Sequence, residues 1–376
     1  MDEIQQTQKA GKDSNLVQAK SIMVNNNTFV GITEQRARDI FNSEMFQKIG
    51  ALAVEAQDIA TRRMLELFSD LMTRVKKCEK DLSSFSDPSF LQHVRIAQES
   101  AAISERKEDI ETLSELLLAR MSGRLKQTTK TGIRKAMEIV PELDDTELMA
   151  LSVFLFYTQY NIKSIHGINT SQYLSALNKS FSQLLTTDLP QGKKWLHHLA
   201  ILDVVIINPA EHFVPIEDYY AQRTTGIICA GIAKDSQEHA NAIEELKRLG
   251  LNDSVLVDND LMPGFIRLPI VDLHDLSVLP VRVQIQNIPN YLSVSPNEHL
   301  QGVLKKIIGF YDKDQNKLRL AKQKFVEKMV EYKSLMQMKN WLASVGYSFE
   351  LTSVGEALAY VNARRCIPEL PIFELE

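Results

Sequence analysis

Phe349-Glu-Leu351-Thr352-Ser-Val-Gly355-Glu-Ala-Leu-Ala359-Tyr-Val-Asn362 passes from strand to helix within four residues. Phe349 to Leu351 reads as a short strand, with Leu351 buried. Thr352 is expected to cap a helix, because its hydroxyl accepts backbone N–H groups that a first turn leaves unpaired. Gly355 has no Cβ, so the helix can come close to a neighbour. The helix is expected to run to about Arg365.

Upstream, Leu318 to Ala343 reads as one charge-laced helix, and Ser295-Pro-Asn-Glu298 reads as a capping box opening another. Helix, strand and threonine-capped helix is the order of the second half of a winged-helix module. A weak echo of it is Trp195-Leu196, the strand-like Asp203 to Ile207, and Thr225-Gly226. DNA binding needs a basic recognition helix. Val326 to Ala343 instead sets Lys328, Lys333 and Lys339 against Glu327 and Glu331, so protein packing is the expected role.

Toward the N-terminus, Thr33 opens a long helix, with apolar residues at helical spacing through Ile40, Phe41, Met45, Ile49, Leu52, Ala56, Ile59, Met64, Leu67, Phe68, Leu71 and Val75. Helices follow at Phe90 to Ala101, Ser104 to Met121, Ile133 to Val140 and Glu147 to Tyr157. The last is apolar all round and capped by Asp144 or Asp145. Strand candidates crowd the middle of the chain: Asp203 to Ile207, Thr225 to Ile232, Ser254 to Val257, Phe265 to Val271 and Val278 to Ile288.

The fold class expected is mainly α. An N-terminal helical domain (32–188) follows a polar stub (1–31), then comes a mixed α/β (α+β) segment (189–292). A C-terminal helical module with a winged-helix-like end (293–376) closes the chain.

The 376 residues, 44% hydrophobic and 24% charged, describe a folded chain, and a net charge of −5 excludes a bulk nucleic-acid coater. No apolar run reaches the ~20 residues of a membrane span. Cys78, Cys229 and Cys366 are few, distant and odd in number, which points to a reducing cytoplasm. P-loop, dinucleotide-fingerprint, zinc-protease, CxxC and nucleophile-elbow motifs are absent. No catalytic residue and no cofactor is assigned.

Three groups remain as candidates. Arg120, Arg124, Lys126, Lys130, Arg134 and Lys135 form a run free of acids that could hold an anion or a nucleic-acid backbone, though it lacks aromatic residues for base stacking. Asp258, Asp260, Asp272, His274 and Asp275 are the best metal-like set, with Asp272 and His274 on one face if extended. Leu16 to Val24 reads either as a disordered tail or as a short strand; as a strand it needs backbone partners, so Leu16, Ile22, Val24, Ile40, Phe41 and Met45 are expected at a homo-oligomer interface. The adjacent His197 and His198 point about 100° apart on a helix and do not share a metal. Cys229 sits in apolar surroundings that make a thiol inert.

The Phe349 to Asn362 segment, with Gln8-x-Ala-Gly-x-x-Ser14-x-x-x-Gln18-Ala-x-x-Ile22 and Gly31-Ile-Thr-Glu-Gln-Arg-Ala-Arg38, resembles an uncharacterised bacterial family known by locus-tag names. The resemblance implies a polar stub, a helical body and a C-terminal L-T-x-x-G-x-x-[IL]-A segment. Its members look like bacterial defence components, and it carries over no catalytic residues. The expected function is a non-enzymatic, oligomerising interaction protein of the bacterial cytoplasm, in phage defence. The alternatives are a nucleic-acid-responsive regulator using the basic run, and a metal-dependent phosphodiesterase or nuclease using the aspartates.

Overall fold

The computed structural model describes residues 34–121, 125–160, 169–285 and 288–370. Two compact units are distinguished, Met1–Gln57 and Asp58–Glu376. The architecture is mainly helical with three small sheets.

Helix α1 spans Glu34–Lys77 and is followed by α2 (Pro88–Ile103), α3 (Lys107–Arg120), α4 (Gln127–Ile139), α5 (Asp145–Gln159) and α6 (Thr170–Leu184). Next come α7 (Lys194–Ile201), β1 (Val205–Asn208), α8 (Ile216–Arg223), β2 (Ile232–Ala233) and α9 (Gln237–Arg248). Strands β3 (Val257–Asp258), β4 (Phe265–Arg267), β5 (Leu279–Ile285) and β6 (Ile288–Val294) lead to α10 (Glu298–Gly309), α11 (Gln315–Met329) and α12 (Lys333–Val345). Strand β7 (Ser348–Leu351) and α13 (Ser353–Cys366) complete the order.

The last helix is the axis of the larger core. α13 packs against α3, α4 and α5, and is buried on all sides from Val354 to Ala363 except at half-buried Glu356. Small residues make this possible. A Cβ added to Gly132 in α4 would lie 2.4 Å from the Ser353 carbonyl oxygen, and one added to Gly355 would lie 2.2 Å from that of Val204. α5 is apolar all round, as its sequence requires, and one polar thread crosses it. The Ser152 hydroxyl meets the Leu148 and Ala359 carbonyls at 2.8 and 3.0 Å and accepts the Asn362 amide at 2.7 Å. This core draws on residues from Leu67 to Ile367, so it joins the segments expected to be an N-terminal domain and a C-terminal module.

The two halves of the sequence echo meet in space. β1, after α7, pairs antiparallel with β7, after α12, in the register Val205↔Leu351 to Asn208↔Ser348. The Trp195 and Trp341 rings face each other with centroids 5.9 Å apart. The third part of the echo is absent, because Thr225-Gly226 lies in a turn. There the Gly226 N–H donates to the Val271 carbonyl at 2.8 Å, and a Cβ would strike the Ile270 carbonyl oxygen at 2.3 Å. β7 feeds α13 directly, and its only partner among the described residues is the distant β1.

A second core joins Cys229, Ile232, Ala242, Leu246, Leu268 and Ile270 to Val303, Leu304, Ile307 and Tyr311. Its sheet, in the order β2–β4–β3, is much shorter than the run of apolar β-branched residues suggested, and β5 with β6 forms a separate antiparallel hairpin. Thr225 to Ile232 contributes only its last residue to a strand, because its turns pack against Ile270 and Val271.

Two helix boundaries also differ from expectation. Asn297, not Ser295, caps α10 by accepting the Leu300 N–H at 2.9 Å. The expected helix Leu318 to Ala343 is broken into α11 and α12 without proline or glycine. The Tyr332 hydroxyl donates to the Ser171 carbonyl, and Asn178 of α6 accepts the Ser334 N–H at 2.9 Å, so tertiary bonds replace intrahelical ones at the break.

Candidate functional site

The N-terminal half of α1 presents an uncovered apolar stripe. Met45, Ile49, Leu52 and Ala56 recur in steps of four, three and four, which places them on one helical face. Met45, Ile49 and Leu52 are 41%, 52% and 62% exposed, and Ala56 is also exposed. In the Asp58–Lys77 part of the same helix, Leu67, Leu71 and Val75 are buried. Of the other interface residues expected, Leu16, Ile22 and Val24 lie outside the described residues. Ile40 and Phe41 lie in α1, with side chains outside them.

The basic run does not form one patch. Arg120 was expected on an anion-binding surface, yet it is buried and donates to the Ser89 hydroxyl at 2.9 Å and Asp87 at 3.5 Å, pinning α3 to the start of α2. Arg134 pairs with Glu138 one turn on, and Lys135 pairs with Asp203 at 3.6 Å. Lys126 and Lys130, one turn apart at the start of α4, have no carboxylate partner among the described residues. Arg124 lies outside them.

The aspartates are dispersed into separate duties. Asp258 is exposed and pairs with Lys234 at 2.7 Å. Asp260 reaches across to α6 and α11, accepting from the Thr170 hydroxyl at 2.8 Å, the Thr170 N–H at 3.1 Å and the Lys328 ammonium at 3.1 Å. Burial pushes the Asp260 carboxyl up, but these donors together hold it below the ordinary carboxylate range. Asp272 accepts the Thr225 hydroxyl at 2.8 Å and the His274 N–H at 3.0 Å, while Asp275 accepts the Ser277 N–H at 3.0 Å. His274 is exposed. The expected metal set is therefore not assembled: among the described residues no group of three or more His, Cys, Asp or Glu side chains is placed to hold a metal.

Sequence reasoning left some polar sites unread. Buried Glu147 completes the capping box of α5 by accepting the Asp144 N–H at 3.0 Å, and its other oxygen meets His198 Nδ1 at 2.9 Å. His197 is exposed, so the two histidines do diverge. At the other end of α5, Arg223 and the Tyr219 hydroxyl donate to the Thr158 and Tyr157 carbonyls at 2.7 and 2.9 Å, a cation at a helix C-terminus. Burial pushes the Cys229 thiol up to about 11, which keeps it protonated and unreactive. Pairings so far apart in sequence leave no local spacing by which to find them.

A family model described only by a locus-tag name of the "-like" type matches residues 31–373. The chain belongs to this family. The family is uncharacterised. Its match takes in the Gly31 helix start and the Leu351 to Ala359 segment, while the Gln8 to Ile22 stub lies outside it. No curated protein and no solved structure matches the chain. Among the described residues no helix is long and apolar enough to cross a membrane.

Proposed function

We propose that this is a non-enzymatic interaction protein of the bacterial cytoplasm that assembles with copies of itself through the N-terminal half of α1. The stripe of Met45, Ile49, Leu52 and Ala56 carries this reading. Alternating steps of four and three residues are the spacing of a coiled-coil seam, whose apolar side chains insert between those of a facing helix. A second copy supplies an identical stripe, so the contact is self-complementary.

Light scattering on the full chain tests the reading. The expected mass is a multiple of the single chain, falling to the single chain in the double variant Ile49→Glu/Leu52→Glu with helix content retained. A wild-type chain that is monomeric at micromolar concentration overturns it. A role in phage defence rests on the family resemblance alone. It predicts that cells expressing the wild-type chain plate phage at lower efficiency than cells expressing the double variant, and equal plating removes that role.

A further inference from the structure

An open cavity of about 550 Å³ lies between the second core and the start of α11. Its floor is apolar, built from Ile228, Cys229, Leu273, Ile308, Tyr311 and Leu318. The polar groups close to that floor are already engaged. The Thr225 hydroxyl donates to Asp272 and accepts the Leu273 N–H, and the Tyr311 hydroxyl accepts the Leu268 N–H at 2.7 Å.

The rim is different. Asp312 is neutralised by Lys317, and Lys322 by Asp218. Lys313 and Arg319 also line the cavity, both exposed, and among the described residues neither has a carboxylate partner. Among the described residues Arg319 reaches only the Asn316 side-chain oxygen, at 3.5 Å. The cavity thus carries two positive side chains without a carboxylate partner among the described residues, at the start of α11, whose own N-terminus is capped by Asp314. Its volume falls within the few hundred to ~1,000 Å³ typical of small-molecule sites, which combine an apolar lining with a few placed polar groups.

We infer that this cavity binds a small amphipathic anion, its apolar body on the Ile228, Leu273 and Leu318 floor and its carboxylate, sulfonate or phosphate group between Lys313 and Arg319. The site shares no residue with the α1 stripe, and the inference stands whether or not the chain self-associates.

The test uses 8-anilino-1-naphthalenesulfonate, an apolar aromatic body with one anionic group, and the uncharged N-phenyl-1-naphthylamine as control. Both are titrated by fluorescence into the full-length protein. The wild-type chain is expected to bind the sulfonate saturably at one site. Lys313→Gln/Arg319→Gln, which alters only exposed side chains, is expected to raise its Kd about tenfold while leaving the neutral probe unchanged. Leu318→Trp fills the cavity and is expected to exclude both probes with the near-ultraviolet dichroism intact. Absence of saturable binding to the wild type overturns the site. Unchanged sulfonate affinity in the double variant overturns the role of the two cations. That variant decides the matter on its own if Leu318→Trp does not fold.

Discussion

Gly355 lies so close to Val204 that any β-carbon there would sit 2.2 Å from the Val204 carbonyl oxygen. The contact holds the first turn of α13 against the chain entering β1. Thr352 reinforces it, donating its hydroxyl to the Asp203 carbonyl at 2.6 Å while accepting the N–H groups of Val354 and Gly355. Gly355→Ala must therefore move backbone against backbone. The expected cost is about 1–3 kcal/mol, as for overpacked cores, read as a lower urea midpoint with unchanged slope. Thr352→Ala removes a cap and is expected to cost about 1 kcal/mol. A Gly355→Ala chain as stable as the wild type would contradict this geometry.

Asp260 makes stability depend on acid. Its folded carboxyl is held below the ordinary range, so its contribution is complete above the unfolded value of about 3.9 and is lost as pH falls through that value toward the folded one. Asp260→Asn is expected to be less stable at pH 7 by about 1–3 kcal/mol, the worth of hydrogen bonds to a charged group. The gap to wild type should narrow between pH 5 and pH 3. Parallel stability curves over that interval would show that Asp260 contributes no charge-dependent term.

The arginines and lysines of the basic run should separate by burial. Arg120→Gln gives up the bonds of a buried guanidinium to Ser89 and Asp87 at the surface and is expected to lower stability by about 1–3 kcal/mol. Lys126→Gln/Lys130→Gln is expected to leave the melting temperature nearly unchanged, because Lys126 is exposed, Lys130 only half-buried, and charges without a carboxylate partner at such positions contribute little. Calorimetry of the two variants side by side decides it. Equal losses would place the lysines in pairings the structure does not show.

A chain beginning at Asp58 retains the whole of the larger unit, including buried Leu67, Leu71 and Val75. Asp58 would also give the shortened helix an acidic first turn, which its dipole favours. Its melting temperature is expected to stay within a few degrees of the full chain, while self-association is lost. A broad, non-cooperative transition would mean that the unit needs the residues removed.

The parts of this fold that could be read in advance are those written locally. Thr352 followed by Gly355, an aspartate at 144 or 145 before α5, and the all-round apolarity of α5 each specify a cap, a close approach or a buried helix from neighbours in sequence. The misread parts depend on distant partners. The α11–α12 break is held by Ser171 and Asn178, and Thr225 to Ile232 is folded into turns against Ile270 and Val271. The same holds for function. The basic run was legible as charge, but the burial of Arg120 was not, and the aspartates clustered in sequence only to serve Lys234, Thr170 and Thr225 in space.

The placement of α13 bears on how the protein is made. Its amide and carbonyl partners on α5 come from residues such as Ser152, which precedes Ala359 by 207 positions. At about 5–20 residues per second of synthesis, the slot formed by α3, α4 and α5 waits roughly 10–40 seconds for the helix that fills it. During that time the faces that α3, α4 and α5 turn toward α13 lack their partner. A nascent chain of this design must either linger in a loosened state or be shielded by a chaperone, and a ribosome that stalls before Ser353 releases a polypeptide with an unfilled heart.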